Sequence, residues 1–222
     1  MYSIAIDGPA GAGKSTIAKT IAKKLEFIYV DTGAMYRAMA LYFLRSNISN
    51  EDEQAISRAS ENVEITIQYE NGEQQVFLNG ENVSGEIRKE EVGNMASKTS
   101  GYGQVRKKLV ELQQQLAKKA DVVMDGRDIG TVVLPGADLK VFLTASAEER
   151  ANRRFKEMTD SSISYEQVLE DIKQRDYNDM HRDIAPLKQA EDAVLLDTTG
   201  MTIEEVKQKL KALIDETEKS IG

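Results

Sequence analysis

The sequence predicts an α/β fold: a doubly wound, five-stranded parallel sheet with helices on both faces, carrying a small inserted antiparallel sheet and a helical lid. Three observations lead to this prediction. Five short apolar runs alternate with segments of helical periodicity, which is the pattern of a parallel sheet. A glycine-rich string follows the first apolar run directly. Residues 63–87 instead show the two-residue alternation of antiparallel strands.

The N-terminal part of the chain predicts two strand–helix pairs. Residues 3–7 form a short apolar run that ends in a carboxylate, which is typical of a buried strand and not of a signal peptide. Apolar residues then recur at helical spacing through residues 14–25. A second strand over residues 27–31 is expected to end at Thr32-Gly33, and residues 34–46 again have a helical pattern.

The segment 63–87 predicts an antiparallel insertion. Apolar and polar residues alternate from Val63 to Tyr69, so we expect a half-exposed strand. Asn71-Gly72 predicts a tight hairpin turn into a return strand that ends at Leu78. Asn79-Gly80 predicts a second turn, which leads towards Val83.

The C-terminal half predicts a long helix over residues 102–119 and a charged, largely helical segment over residues 148–182 that breaks near residues 159–162. Three further core strands are predicted, over residues 121–125, 139–143 and 193–197. Two helix starts have the pattern of a capping box, Ser146 with Glu149 and Thr202 with Glu205.

The composition excludes several classes of protein. The chain has 222 residues, of which 41% are hydrophobic and 30% charged, as in ordinary globular domains. It has no cysteine, which excludes disulfides and cysteine-ligated zinc. Its formal net charge of −8 disfavours a nucleic-acid polymer as a partner, because phosphates need a basic surface. No apolar window approaches the length of a membrane span, so we expect a cytoplasmic protein without a membrane partner.

The glycine-rich string is the strongest functional signal. Gly8-Pro9-Ala10-Gly11-Ala12-Gly13-Lys14-Ser15 matches the pattern G-x-x-x-x-G-K-S/T between a predicted strand and a predicted helix. Glycines let backbone N–H groups turn towards phosphate oxygens, and the helix start presents its positive dipole end to the same anion. We expect Lys14 to reach the β- and γ-phosphates of ATP, and the Ser15 hydroxyl to be a Mg²⁺ ligand. A turn that fits the pattern by chance is the alternative.

A phosphate loop is shared by molecular switches and by small-molecule kinases. Guanine-specific switches usually carry Asn-Lys-x-Asp, which does not occur in this sequence. Residues 197–200 match D-x-x-G too late in the chain for a switch element, and we interpret them as a strand end followed by a turn. Kinases need a second anion site, and arginine suits it because its planar group binds phosphate through two N–H groups.

Arginines follow several predicted strands, at the edge where such sheets bind their ligands. Arg150, Arg153 and Arg154 are spaced i, i+3 and i+4, so they share one helix face. This face is either solvated and paired with neighbouring glutamates, or part of a lid that closes over the phosphates. Other arginines follow the second and third strands or precede the fifth: Arg37, Arg127, Arg175 and Arg182.

Four strings accompany the phosphate loop of residues 8–16. They are Asp-Thr-Gly-Ala-Met-Tyr-Arg at residues 31–37, Val-Ser-Gly-Glu-Ile-Arg at 83–88, Asp-Gly-Arg-Asp-Ile-Gly-Thr at 125–131, and Arg175-Asp176 through Arg182 with Ala-Pro-Leu at 185–187. With these strings the chain resembles the bacterial cytidylate kinases, in the nucleoside monophosphate kinase group, over essentially its whole length. The insertion at 63–87 matches as well, because those kinases have an enlarged acceptor-binding domain.

The resemblance implies that the chain transfers the γ-phosphoryl group of ATP to CMP and dCMP, with Mg²⁺, in pyrimidine nucleotide metabolism. It implies one kinase chain in three parts. The core comprises residues 1–31, 103–147 and 183–222. The acceptor-binding domain comprises residues 32–102 with the insertion at 63–87, and the lid comprises residues 148–182.

The resemblance also assigns site residues. ATP is bound by Gly8, Pro9, Ala10, Gly11, Ala12, Gly13, Lys14, Ser15 and Thr16. The acceptor phosphate is bound by Thr32, Arg37 and Arg127. The cytosine base is bound by Ser97, Arg106 and Asp128. The ribose and the lid contacts involve Arg175, Asp179 and Arg182. The groups that stabilise the transferring phosphoryl are Lys14, Arg127, Arg154 and Arg175. A carboxylate at Asp128 complements the amino group of cytosine and repels the carbonyl of uracil.

Several alternatives stay open at this point. Asp125 ends its strand either as a Walker-B carboxylate that holds a Mg²⁺ water or as a structural hydrogen-bond acceptor. His181 is either a proton shuttle or an exposed lid residue. A kinase for UMP, dTMP or a metabolite alcohol, a regulatory protein gated by ATP, and a structural protein are the rival functions. We expect a monomer, and the sequence sets no preference between CMP and dCMP.

Overall fold

The computed structural model describes residues 1–70, 72–158 and 163–221. Within these ranges the strands are β1 Ser3–Asp7, β2 Ile28–Asp31, β3 Ile65–Glu70, β4 Glu73–Leu78, β5 Glu81–Asn82, β6 Val122–Gly126, β7 Leu139–Thr144 and β8 Val194–Asp197. The α-helices are α1 Lys14–Leu25, α2 Thr32–Arg45, α3 Glu53–Glu61, α4 Glu90–Thr99, α5 Gly103–Ala117, α6 Ala147–Glu157, α7 Tyr165–His181 and α8 Ile203–Ile221. None of the helices described is long and apolar enough to span a bilayer.

The main sheet has five strands in the order β2-β6-β1-β7-β8. Strand β1 lies at its centre and pairs in parallel with β6 on one side and β7 on the other. Strand β8 continues the parallel pairing on β7. Parallel strands end at the same side of a sheet, so the loops that follow β1, β6 and β7 lie next to one another. The predicted doubly wound α/β class is confirmed.

One face of this sheet is covered by α1 and α8. Ile4 and Ile6 of β1 pack with Ile17 and Ile21 of α1, and Leu210 of α8 lies fully buried in the same cluster. Alternate strand residues and helix residues three or four apart form this layer, as the two periodicities predict. Each such aliphatic side chain contributes about 1.5–3 kcal/mol when buried. This packing fixes the start of α1 against the end of β1.

The predicted antiparallel insertion is present as the sheet β3-β4-β5. Strand β3 pairs antiparallel with β4, from Ile65 opposite Leu78 to Glu70 opposite Glu73. Asn79 and Gly80 both have positive φ, of 49° and 83°, so the second predicted turn has the backbone that joins short hairpins. The first predicted turn involves Asn71, which lies outside the described residues.

The chain divides into two compact units, Met1–Tyr29 with Ala120–Gly222, and Val30–Lys119. The boundary falls within β2. The first unit contains the phosphate loop, β6 to β8 and helices α1 and α6 to α8. The second unit contains α2 to α5 and the antiparallel sheet, so the helix over Gly103–Ala117 lies with the insertion.

Some element boundaries differ from the sequence prediction. Helix α2 begins at Thr32 with no intervening turn, because the Asp31 side chain accepts the N–H of Ala34 and caps the helix at once. Helices α3 and α4 were not predicted. The capping box at Ser146 is only half formed. Its hydroxyl accepts the N–H of Glu149, but the Glu149 carboxylate pairs with Arg153.

The charged segment after β7 forms the helical pair α6 and α7, as predicted. Its small apolar core consists of Ala151, Val168 and Ile172. A complete capping box of Ser164 with Gln167 starts α7. The predicted break at residues 159–162 lies outside the described residues.

We expect Gly8→Ala to destabilise the fold more than Gly13→Ala does. Gly8 has a φ of 149°, and a Cβ at this position would overlap the carbonyl oxygen of Leu143 in β7. Gly13 has a φ of 87° and no atom within 4 Å of such a Cβ, so alanine there meets backbone strain alone. That strain costs about 1–2 kcal/mol. Urea unfolding of both variants measures the difference, and equal losses would contradict the close packing of Gly8 on β7.

Candidate active site

The phosphate loop, residues 8–16, leads from the end of β1 into the start of α1. Gly8, Gly11 and Gly13 have φ values of 149°, 74° and 87°, which residues with a Cβ rarely adopt. Helix α1 begins at Lys14, the residue from which the sequence predicts it. The first N–H groups of a helix have no partner within it, so this end of α1 suits an anion.

Lys14 is buried, and its Nζ donates to the carbonyl oxygen of Pro9 at 2.7 Å. Burial, followed by the positive charge of Arg127, lowers the pKa of Lys14 to about 7. The carboxylates of Asp125 and Asp7 act in the opposite direction. An anion beside Nζ favours the protonated amine, so we expect a bound phosphate to keep Lys14 charged.

Asp125 accepts two side-chain hydrogen bonds next to the phosphate loop. The Ser15 hydroxyl donates to its Oδ2 at 2.8 Å, and the Tyr29 hydroxyl donates to its Oδ1 at 2.9 Å. A hydroxyl and a carboxylate, completed by phosphate oxygens, form the oxygen ligand set that Mg²⁺ prefers, so Ser15 and Asp125 fit this ion. The structural hydrogen bond left open for Asp125 is present as well. Tyr29 was missed, because a strand tyrosine belongs to no motif.

Arg150 of α6 joins three elements of the first unit. Both of its terminal nitrogens donate to the Asp176 carboxylate in α7, at 3.0 and 2.5 Å. It also donates to the carbonyl oxygens of Ala10 in the phosphate loop and Ala145 after β7, at 3.0 and 2.9 Å. Only 4% of the Arg150 side chain is exposed, so the solvated-face alternative is wrong for this residue. The sequence assigned no role to Asp176 and did not predict this pairing.

A cavity of about 570 Å³ opens beside the phosphate loop. It is lined by loop and α1 residues 11–17 and by Arg150, Arg153, Arg154, Glu157, Thr198, Met201, Ile203 and Val206. Arg153 pairs with Glu149 and donates to the carbonyl oxygen of Thr198 at 2.9 Å. The sequence analysis gave the residues after β8 no part in the site, because it interpreted residues 197–200 as a strand end and a turn and Met201, Ile203 and Val206 carry no charge. A cavity with an apolar side after β8 and a charged side on α6 and the phosphate loop suits a nucleoside next to its phosphates.

The loop that follows β6, residues 127–134, is called the β6 loop below. Its Arg127 donates through Nε to Asp179 of α7 at 2.7 Å. Asp128 is buried, and its carboxylate lies 3.6 Å from the guanidinium of Arg182. Arg182 also lies 4.0 Å from Asp179, and Arg175 stands on the same helix as Asp179. The structure therefore brings Arg127, Asp128, Asp179 and Arg182 into one charged cluster.

The second unit carries the other predicted acceptor residues on three helices. Thr32 is the buried first residue of α2, and Arg37 is exposed on the same helix. Arg106 of α5 is buried, with its guanidinium 5.6 Å from the centre of the Tyr36 ring. Ser97 is half-buried in α4.

His181 is the last residue of α7 and is exposed. Its ring stacks on the ring of Tyr177 with centroids 4.1 Å apart, and its Nδ1 lies 2.8 Å from the carbonyl oxygen of Tyr177. These local contacts favour the exposed lid residue over the proton shuttle.

The model of the cytidylate kinase family matches residues 4–216. The chain belongs to the cytidylate kinase family. The cytidylate kinase of Caldicellulosiruptor saccharolyticus is 55% identical over 213 residues, which cover 95% of this chain and 94% of the relative. The cytidylate kinase of Lactobacillus johnsonii is 48% identical over 222 residues, which cover 99% and 96%. The resemblance found in the sequence motifs is confirmed.

Solved structures add support for the fold. A shikimate kinase from Bacteroides thetaiotaomicron superposes with a TM-score of 0.50 at 15% identity, covering 96% of this chain and 98% of that one. Such a distant likeness concerns the architecture alone, because one fold serves kinases of many acceptors.

Another buried carboxylate lies at the end of the central strand β1 of this kinase. Asp7 ends β1 and is 5% exposed. It accepts the backbone N–H groups of Ile129 and Gly130 at 2.7 Å each. Burial raises the pKa of Asp7 to about 6, although these two hydrogen bonds act in the opposite direction.

Asp7 should make the stability of the chain depend on pH. The unfolded group ionises near pH 3.8 and the folded group near pH 6, so between these values the folded chain holds the proton more tightly. This contribution to stability is complete below pH 3.8 and is lost as the pH rises through 6. From pH 4.5 to 7, the free energy of unfolding should fall relative to that of Asp7→Asn by about 2 kcal/mol. Urea unfolding at both pH values measures it, and a constant difference would contradict the raised pKa.

Proposed function

We propose that the chain transfers the γ-phosphoryl group of ATP to the phosphate of CMP or dCMP, giving ADP and CDP or dCDP. The observation that carries the proposal is the match to the cytidylate kinases over residues 4–216, which includes both the phosphate loop and the β6 loop. In the same proposal the enzyme is a cytoplasmic monomer that acts on small nucleotides in pyrimidine metabolism, with Mg²⁺ as its cofactor.

In this proposal the donor is bound entirely by the first unit. The phosphate loop binds the ATP phosphates, and the adenosine lies in the cavity bordered by Arg154 and Val206. Ser15 would be a ligand of the magnesium ion and Asp125 would hold one of its waters, and the ion would supply positive charge to the ATP phosphates. The buried Tyr29 hydroxyl orients the Asp125 carboxylate through its hydrogen bond.

The acceptor residues are proposed in two sets. In the first unit, Arg127 binds the acceptor phosphate, Asp128 accepts the amino group of cytosine, and Arg175, Asp179 and Arg182 serve the ribose and the lid contacts. In the second unit, Thr32 and Arg37 bind the acceptor phosphate, while Ser97 and Arg106 bind the base. The hydrogen bond from Arg127 to Asp179 supports a shared role, because it fixes both side chains before an acceptor binds.

The chemistry requires positioning and charge stabilisation. An oxygen of the acceptor phosphate attacks the γ-phosphorus in line, and this oxygen is already ionised, so the reaction needs no general base. Lys14, Arg127, Arg154 and Arg175 stabilise the negative charge of the transferring group. The removal of one such donor typically lowers kcat by about 10²–10³-fold. The exposed position of His181 agrees with a mechanism that does not use it.

An assay of ADP release tests the proposal. With ATP and Mg²⁺, we expect rapid turnover with CMP and dCMP and little with UMP, AMP or dTMP. Lys14→Ala should lower kcat for CMP by about 10²-fold or more, because a charge stabiliser is lost. Turnover of another monophosphate alone would assign a different acceptor, and tight ATP binding without turnover on any of them would favour a regulatory protein gated by ATP.

Asp128→Asn should relax the selectivity for CMP over UMP. The buried carboxylate accepts the amino group of cytosine and repels the uracil carbonyl, whereas an amide can donate to that carbonyl. The ratio of kcat/KM for the two acceptors measures the effect, and we expect it to fall by at least about 10-fold. An unchanged ratio would remove Asp128 from base recognition.

A further inference from the structure

Asp7 is a buried carboxylate to which the mechanism above gives no task. It is the last residue of β1 and directly precedes Gly8, the first glycine of the phosphate loop. Its hydrogen bonds run to Ile129 and Gly130, which lie 122 and 123 positions away in the β6 loop. Asp7 therefore links the loop that binds the donor to the loop that carries Arg127 and Asp128.

The two N–H groups that Asp7 accepts belong to the start of a helical turn. Residues Ile129–Val133 form a π-helical turn with Asp128 at its N-cap position. The carbonyl oxygen of Asp128 accepts the N–H groups of Val132 and Val133, at 2.9 and 3.2 Å. The first N–H groups of such a turn have no partner within it, and they need an acceptor when buried.

An aspartate at an N-cap position normally supplies that acceptor itself, through its own side chain. The Asp128 side chain makes no such bond to its turn. Asp7 instead takes the N–H of Gly130, which is the second residue of the turn and a usual partner of a capping carboxylate. The Asp128 carboxylate is therefore directed elsewhere, to within 3.6 Å of Arg182.

The packing around Gly130 holds this arrangement in place. A Cβ on Gly130 would lie 3.3 Å from Oδ2 of Asp7 and 3.1 Å from Cδ of Lys140. Lys140 is itself buried and fixed by hydrogen bonds to Pro135 and Asp192. Glycine at position 130 thus permits the close approach of the Asp7 carboxylate to the turn.

We infer that Asp7 is a positioning residue for acceptor selectivity: it caps the turn of the β6 loop in place of Asp128, so that the Asp128 carboxylate is not drawn into the turn and keeps the position from which it meets the acceptor base. The inference rests on the proposed function for its consequence in catalysis. Its structural part, the exchange of the capping role between two carboxylates, is independent of the substrate.

The test is a double-mutant cycle on Asp7→Asn and Asp128→Asn, read as the CMP-to-UMP ratio of kcat/KM. In Asp7→Asn the side-chain amide has one acceptor oxygen for two N–H groups, so Asp128 is drawn to the turn, and we expect the ratio to fall by about 10-fold. Because Asp7 acts through Asp128, the double variant should have the same ratio as Asp128→Asn alone. Equal losses on CMP and UMP in Asp7→Asn, or a further fall in the double variant, would overturn the inference.

Asp121→Asn is the matched control. Asp121 also accepts a backbone N–H across β1 and β6, from Tyr2 at 2.6 Å, but at the start of these strands. We expect it to leave the CMP-to-UMP ratio unchanged. Gly130→Ala is a second route to the same effect if Asp7→Asn does not fold, because the added Cβ, 3.3 Å from Oδ2 of Asp7, crowds this carboxylate and weakens its hydrogen bonds to the turn. A change of ratio in the control, or no change in Gly130→Ala, counts against the inference.

Amide hydrogen exchange measured by NMR tests the exchange of the capping role without any substrate. The Gly130 amide should stay protected in Asp7→Ala, because the Asp128 carboxylate takes over its hydrogen bond, and should lose protection when Asp128 is also replaced by alanine, which has no acceptor. Loss of protection in Asp7→Ala alone would overturn the exchange of roles. If the wild-type enzyme does not prefer CMP, the proposed function fails, and this measurement still decides the inference.

Discussion

The ion pair of the buried Arg150 with the partly buried Asp176 is the contact on which the arrangement of the first unit depends. Its guanidinium is also bonded to the phosphate loop and to the end of β7, so one side chain fixes α7 to the sheet edge. Helix α7 in turn carries Asp179, which holds Arg127. The removal of Asp176 would be unfavourable, because it would leave the buried charge of Arg150 without its carboxylate. The donor loop and the β6 loop are thus fixed by the same helix.

Two carboxylates at the ends of adjacent strands have different tasks because of their partners. Asp125 is bonded to two hydroxyl groups, of Ser15 and Tyr29, next to the phosphate loop. Asp7 is bonded to two backbone N–H groups of the β6 loop. In the strand register Asp7 lies opposite Gly126, one position beyond Asp125. A parallel sheet therefore places an oxygen ligand suited to a metal ion and a capping group side by side.

The features that the sequence predicted well depend on local sterics and periodicity. The bounds of α1 follow from the glycines before Lys14 and from the apolar spacing of the helix. The hairpin at Asn79-Gly80 follows from the ease with which these residues adopt positive φ. Helix α3 was missed because Ile56 is its only fully buried apolar residue. One buried side chain is enough to pack the helix, but it gives no periodic pattern in the sequence. Helix α2 begins earlier than predicted because the Asp31 cap removes the need for a turn.

The sequence by itself determined the α/β class, the phosphate loop and the membership of the cytidylate kinase family, because each can be recognised from short strings of neighbouring residues. The tertiary structure decided which charges meet. Arg150 and Arg153 are three positions apart on one helix, yet the first is buried against Asp176 and the second pairs with Glu149. The bonds from Ile129 and Gly130 to Asp7 likewise join distant parts of the sequence. Such pairings depend on the order of strands in the sheet, and no local pattern in the sequence contains that order.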